Sequence, residues 1–156
     1  MEEKNLKVND KISFLGPFGN FTLNTEDGAK KLIFLATGSG ISPIRSQIES
    51  ALTEQKLQIP IILYWGLSYP YDVFWADYFQ KLSLDYPNFK YKIAVWKPDN
   101  SWQGYRGFIT NLLSQDISDA SDCAVYLCGN QDMITDATKI LMDKGCPKIR
   151  IYTEKY

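Results

Sequence analysis

The chain of 156 residues contains no histidine. That absence removes His-based catalytic triads and the commonest metal ligand in one stroke. Cysteine is scarce too. Cys123, Cys128 and Cys146 are odd in number, and their spacing fits no zinc pattern. No stretch reaches the roughly eighteen apolar residues that a membrane-spanning helix needs. Neither charge dominates: 17 Lys and Arg stand against 18 Asp and Glu, for a formal charge of −1. With the basic residues scattered, no stripe for nucleic acid forms. The opening "MEEKNLKVND" lacks the basic-then-apolar layout of a secretory signal, so a reduced, cytoplasmic location is expected. Chemistry in such a chain is expected to be a cofactor's, with no metal site.

What is present is core material. Apolar residues make up 45% and aromatics 14%, enough to build a packed interior. From Lys31 onward, β-rich runs alternate with helical patterns. The runs are "KLIFLAT" (31–37), "IPIILYWG" (59–66), "FKYKIAVW" (89–96), "CAVYLCG" (123–129) and "KIRIYT" (148–153). Helical stretches lie between them near 43–56, 72–85, 107–115 and 131–144. Four of the runs are almost wholly apolar, as strands covered on both faces should be. The pattern predicts an α/β fold: a five-stranded parallel sheet flanked by helices. Residues 29–156 form that unit. Residues 1–28 stand outside its rhythm and read as two short strands, "KISFLG" and "NFTL", around a Gly-Pro-Phe-Gly turn. They are either an edge or linker between domains or a hairpin packed on the sheet.

In an open parallel sheet, ligands bind beyond the carboxyl ends of the strands. After the first run comes Thr37-Gly38-Ser39-Gly40-Ile41-Ser42-Pro43. Ser42 is the expected N-cap, and Pro43 suits the first helical position. Gly38 and Gly40 would let the backbone approach an anion, and the helix start would favour a pyrophosphate. The bland alternative is a tight strand-to-helix turn with no ligand. The common dinucleotide fingerprint is incomplete, because Pro43 replaces its third glycine and no acidic residue ends the second run. Polar, small and aromatic residues collect at the other strand ends: Gly66-Leu67-Ser68 with Asp72 nearby, Cys128-Gly129-Asn130 with Met133, and the closing Thr153-Glu154-Lys155-Tyr156. Each has an ordinary reading, Cys128 as a buried small hydrophobe, Asp72 as a cap and Tyr156 as a frayed end.

Taken together, "TGSGISPI", "YWGLSYPYDVFW", "SWQGYRGFI", "YLCGNQDM" and "IYTEKY" resemble the pyridine-nucleotide half of the ferredoxin–NADP reductase family. NAD(P)H–flavin reductases and the reductase components of oxygenases are the nearer relatives. The resemblance covers residues 8–156, and "GPFGNFTL" is similar to the last strand of that family's flavin-binding barrel. It implies that Thr37, Gly38, Gly40, Ser42 and Pro43 line the pyrophosphate and nicotinamide ribose. Gly66, Ser68 and Asp72 would border the adenosine end, with Met133 holding the adenosine-side helix. Cys128 and Gly129 would lie beside the nicotinamide, where hydride passes to a flavin. Glu154 and Tyr156 would lie near the flavin ring. The implied cofactors are NADH, in preference to NADPH, and FAD or FMN. The implied partners are a flavin-binding domain and an electron acceptor: an iron–sulfur protein, free flavin or an oxygenase.

Departures from the family pattern limit what carries over. No Arg-x-Tyr-Ser/Thr precedes the nucleotide unit, where a flavin barrel would place it, so the chain is expected to be part of a larger flavoprotein. Cys-Gly-Pro reads Cys-Gly-Asn here, and Gly-x-Arg reads Gly66-Leu67-Ser68. Receiver-like and methyltransferase readings fail for want of acidic residues at the first and second strand ends. A nucleotide-binding interaction module without redox activity remains the alternative.

Overall fold

A computed structural model describes residues 7–13, 15–16 and 19–155. Six strands form one parallel sheet: β1 (Lys31–Thr37), β2 (Ile61–Leu67), β3 (Phe89–Val95), β4 (Tyr105–Arg106), β5 (Cys123–Gly129) and β6 (Ile151–Lys155). Their order is β4-β3-β2-β1-β5-β6. The α-helices among the described residues are α1 (Ile41–Glu49), α2 (Ala76–Asp85), α3 (Ile109–Asp116) and α4 (Gln131–Asp143). The α/β reading holds, with one strand more than the pattern suggested. That strand, β4, pairs only through Ala94↔Tyr105 and Val95↔Arg106. Two residues are too few to show a period in sequence.

β1 sits at the centre, and its side chains explain the continuous apolar runs. Leu32, Phe34 and Ala36 pack with Ile41, Ile44, Ile48 and Trp65 on one face. Ile33 and Leu35 pack with Ile109, Leu113, Ile134 and Leu141 on the other. Period-2 alternation therefore sends neighbouring residues into two separate cores, so both sets must be apolar. Near the edge, β3 keeps exposed Lys90 and Lys92, which is why "FKYKIAVW" alone among the central runs is mixed.

The N-terminal expectation needs correction. Residues 20–23 form no strand, nor do the described residues of 11–16. The segment from 19 to 30 instead crosses the first core face as irregular chain. Gln47 Nε2 donates to the Phe21 carbonyl at 2.8 Å, and the Phe21 ring meets Tyr126 edge-on. Asn24 N–H donates to Tyr126 Oη at 2.8 Å. Arg150 Nη2 donates to the Asp27 carbonyl at 2.7 Å, and Tyr152 Oη donates to the Asp27 carboxylate at 3.1 Å. Side chains of β5, of α1 and of the short turn before β6 thus satisfy backbone groups that a strand would have paired.

Candidate nucleotide site

The strand order reverses at β1, with β2 on one side and β5 on the other. Crevices form at such switch points beyond the carboxyl ends. A cleft of about 990 Å³ opens there. Thr37, Gly38 and Ser39 line its floor. Gly66, Leu67, Ser68 and Asp72 line one wall, while Asn130, Asp132, Met133 and Asp136 line the other.

The β1–α1 turn differs locally from expectation. A single 3-10 turn, Gly38–Gly40, precedes α1, and Gly40 stands at the N-cap without a side-chain bond. Ser42 and Pro43 are already inside the helix, so Ser42 is not its cap and Pro43 is not its first residue. Pro43 is still tolerated, because the first four helical N–H groups have no intrahelical acceptor. Gly38 has φ +52°, a left-handed conformation that favours glycine.

Gly40 serves a different purpose. It is buried, and a Cβ there would lie 2.7 Å from the carbonyl carbon of Cys128 and 3.2 Å from its Sγ. Its missing side chain lets the turn close onto β5. At Gly129 a Cβ would overlap Thr37 Oγ1 and sit 2.9 Å from Met133 Cε. Neither glycine is among the residues that line the cleft, and neither is Cys128, 2% exposed. Burial, with Glu154 nearby adding negative charge, pushes the Cys128 thiol up to about 11. Glu154 pairs with Cys128 across β5 and β6 and lies beside the chain at Gly19, away from the cleft wall. Ser42 and Pro43 are also outside the wall. Tyr156 lies outside the described residues.

Asn130 explains the Cys-Gly-Asn departure. Its N–H donates to Thr37 Oγ1 at 3.2 Å, and its Oδ1 accepts from Met133 N–H at 2.8 Å. It caps α4 and ties that helix to the end of β1, two tasks a proline could not perform. On the opposite wall, Asp72 Oδ2 accepts from Tyr69 N–H at 3.0 Å and closes the short turn Pro70–Asp72.

The sequence reading missed an aromatic rim. Trp96 and Phe108 stack with centroids 5.2 Å apart, and both line the cleft with Tyr71 and Phe74. Trp96 is carried there by backbone bonds that extend the β2–β3 ladder, Trp96 N–H to Leu67 O and Lys97 N–H to Ser68 O. The signal in the sequence was their position, Trp96 closing the run "FKYKIAVW" and Phe108 following Gly107. Behind the rim, the Arg45 guanidinium stacks on Trp75 and Tyr78 and pairs with Glu49 at 3.0 Å. Asp72, Asp132 and Asp136 are the charged residues of the cleft lining. The Lys97 ammonium lies over Trp96 and Tyr69, 4.3 Å and 5.5 Å from their centroids.

A family model described as an oxidoreductase NAD-binding domain matches residues 34–139. The chain belongs to that family. Over 158 aligned residues it is 31% identical to one component of the Na(+)-translocating NADH-quinone reductase of Methylococcus capsulatus, covering 97% of this chain and 38% of that one. The chain thus spans well under half of that curated relative. Among solved structures, the ferredoxin reductase in carbazole 1,9a-dioxygenase matches 90% of the chain and 41% of its own, at TM-score 0.74 and 26% identity. The Amycolatopsis cytochrome P450 reductase GcoB shares the fold, with TM-score 0.81, 22% identity and coverage of 90% and 42%. This NAD-binding domain has no helix, among its described residues, long and apolar enough to cross a membrane.

The domain does contain one Arg-x-Tyr-Thr string, Arg150 to Thr153. It runs from a short 3-10 turn into β6. Its Arg and Tyr are engaged in holding Asp27, so its position and contacts differ from those of a flavin-barrel signature.

Proposed function

We propose that this domain is the nucleotide-binding part of a flavin-dependent reductase. It binds NADH and presents it to a flavin, FAD or FMN, held by a separate domain, from which electrons go on to an iron–sulfur protein, free flavin or an oxygenase. The observation that carries this reading is the cleft at the switch point, floored by the left-handed Gly38 turn at the start of α1. Its volume suits a dinucleotide, and the turn offers backbone groups at close range to an anion. When bound, the nicotinamide supplies a hydride that leaves its C4 carbon and reduces the flavin. The chain's own residues supply position.

Thr37 to Ser39 receive the pyrophosphate, and Gly66, Ser68 and Asp72 border the adenosine. Met133 backs the opposite wall. Gly40, Cys128 and Gly129 act from behind, keeping β1, β5 and the turn in contact. Ser42 and Pro43 stabilise the first turn of α1 beneath the site. Glu154, on the side where the linker passes, faces the flavin domain; the family resemblance assigns Tyr156 to the flavin ring. Residues 1–28 lead from that domain. Acidic Asp72, Asp132 and Asp136 favour NADH over NADPH, whose 2′-phosphate adds negative charge. Three buried, unpaired thiols suit the reducing cytoplasm to which we assign the protein.

Calorimetric titration with NADH, followed by an NADH-oxidation assay with the flavin domain supplied in trans, tests this. Binding to a colourless domain, with turnover only when the flavin domain is added, is expected. Failure to bind NADH would overturn the reading. Binding without turnover would favour a nucleotide-binding module with no redox role.

A further inference from the structure

We propose that Trp65 is a positioning residue for the pyrophosphate turn; this rests on the nucleotide reading above. Trp65 is fully buried on β2, and its indole Nε1–H donates to the Gly38 carbonyl at 3.1 Å. The same carbonyl accepts Ile41 N–H at the start of α1. Two donors therefore hold the Gly38 oxygen, one from the sheet and one from the helix.

The consequence follows from peptide geometry. In a trans peptide, C=O and the following N–H point in opposite directions across one plane. Fixing the Gly38 carbonyl toward Trp65 and α1 turns the Ser39 N–H the other way. Ser39 is exposed and lines the cleft. The indole thus sets the direction of an amide donor on the cleft floor without itself touching the ligand. Gly38, at φ +52°, allows the peptide to adopt this orientation.

The ring is equally constrained. Trp65 meets Phe74 edge-on at 5.1 Å and Phe79 at 6.0 Å, so its N–H is aimed by packing. Phe74 is itself part of the cleft wall. One buried indole therefore contacts both the floor and a wall of the site.

Trp65→Phe keeps an aromatic ring and deletes the N–H. Affinity should be measured for ADP-ribose and for adenosine, which lacks the pyrophosphate. Loss of about five- to tenfold in ADP-ribose affinity is expected, the scale of one net hydrogen bond, with adenosine affinity unchanged. In the unaltered protein, the Trp65 indole N–H resonance should shift on adding ADP-ribose, and by more than adenosine moves it. This second measurement decides the matter if the variant does not fold. Unchanged ADP-ribose affinity, equal loss of both ligands, or an indole resonance indifferent to ADP-ribose would each overturn the proposal. An unaltered protein that does not bind ADP-ribose would instead overturn the nucleotide reading itself.

Discussion

Gly40 lies directly against the main chain of Cys128, so close that a Cβ would come within 2.7 Å of its carbonyl carbon. The contact joins the start of α1 to the carboxyl end of β5, residues distant in sequence. Backbone on one side and a packed strand on the other leave little room to yield. Gly40→Ala should therefore destabilise the domain by about 1–3 kcal/mol, as overpacking of a tight interior does. Denaturant unfolding with a lowered midpoint and an unchanged slope is the expected result. An unaltered midpoint would show that the turn can move away from β5.

The three thiols should be silent in the folded protein. Burial raises Cys123, and pushes both Cys128 and Cys146 up to about 11. Ellman's reagent at pH 8 should find no reactive thiol until guanidinium is added, and then all three. The same shifts give stability an alkaline limb. The folded state disfavours the thiolates, so stability is level below the ordinary value of 9.0 and declines as pH rises from there toward 11. Rapid native-state labelling of Cys128 would contradict its burial.

Glu49 should supply a limb on the acid side. Burial pushes its carboxyl up, but hydrogen bonds from Tyr78 and Arg45 outweigh that and leave it below the ordinary 4.5. A lowered carboxyl stabilises the fold above 4.5, and the contribution is lost as pH falls through the lower folded value. The pair is partly exposed, so its worth is below about 1 kcal/mol. Glu49→Gln should flatten the stability profile below pH 4.5 relative to the parent protein. Parallel profiles for the two proteins would remove Glu49 from the account.

Cofactor choice can be read through Asp72. Its carboxylate holds Tyr69 N–H at 3.0 Å, and Asn can keep that bond while deleting the charge. NADPH should bind about tenfold more weakly than NADH, a difference of ~1.4 kcal/mol. Asp72→Asn should narrow that gap by about two- to fivefold, as removal of one partly exposed like charge permits. Equal or tighter binding of NADPH to the unaltered domain would reverse the assignment.

Much of this was legible in the chain. Runs such as "KLIFLAT" announced strands buried on both faces, because a parallel sheet sends alternate residues into two cores and leaves no polar period. Thr37, Gly38, Gly66, Ser68, Asp72 and Met133 could be placed at one sheet edge from the strand–helix alternation alone. The cleft they line follows from that connectivity.

Other features depend on contacts that no local pattern carries. Sequence alone offered Gly40 as a place for an anion to approach; its closeness to Cys128 arises from parallel pairing of β1 with β5. Asn130 looked like a mere departure until α4 brought its N–H to Thr37 Oγ1. "NFTL" (20–23) reads as a strand by composition, yet Gln47, Tyr126 and Arg150 engage backbone groups between 19 and 30 and leave the segment irregular. Alternation and turn chemistry are short-range, so the sequence by itself determined the sheet, its helices and the edge at which residues gather. Close packing and side-chain hydrogen bonds join segments far apart in the chain, so only the tertiary structure decided which of those residues face the cleft and which brace it from behind.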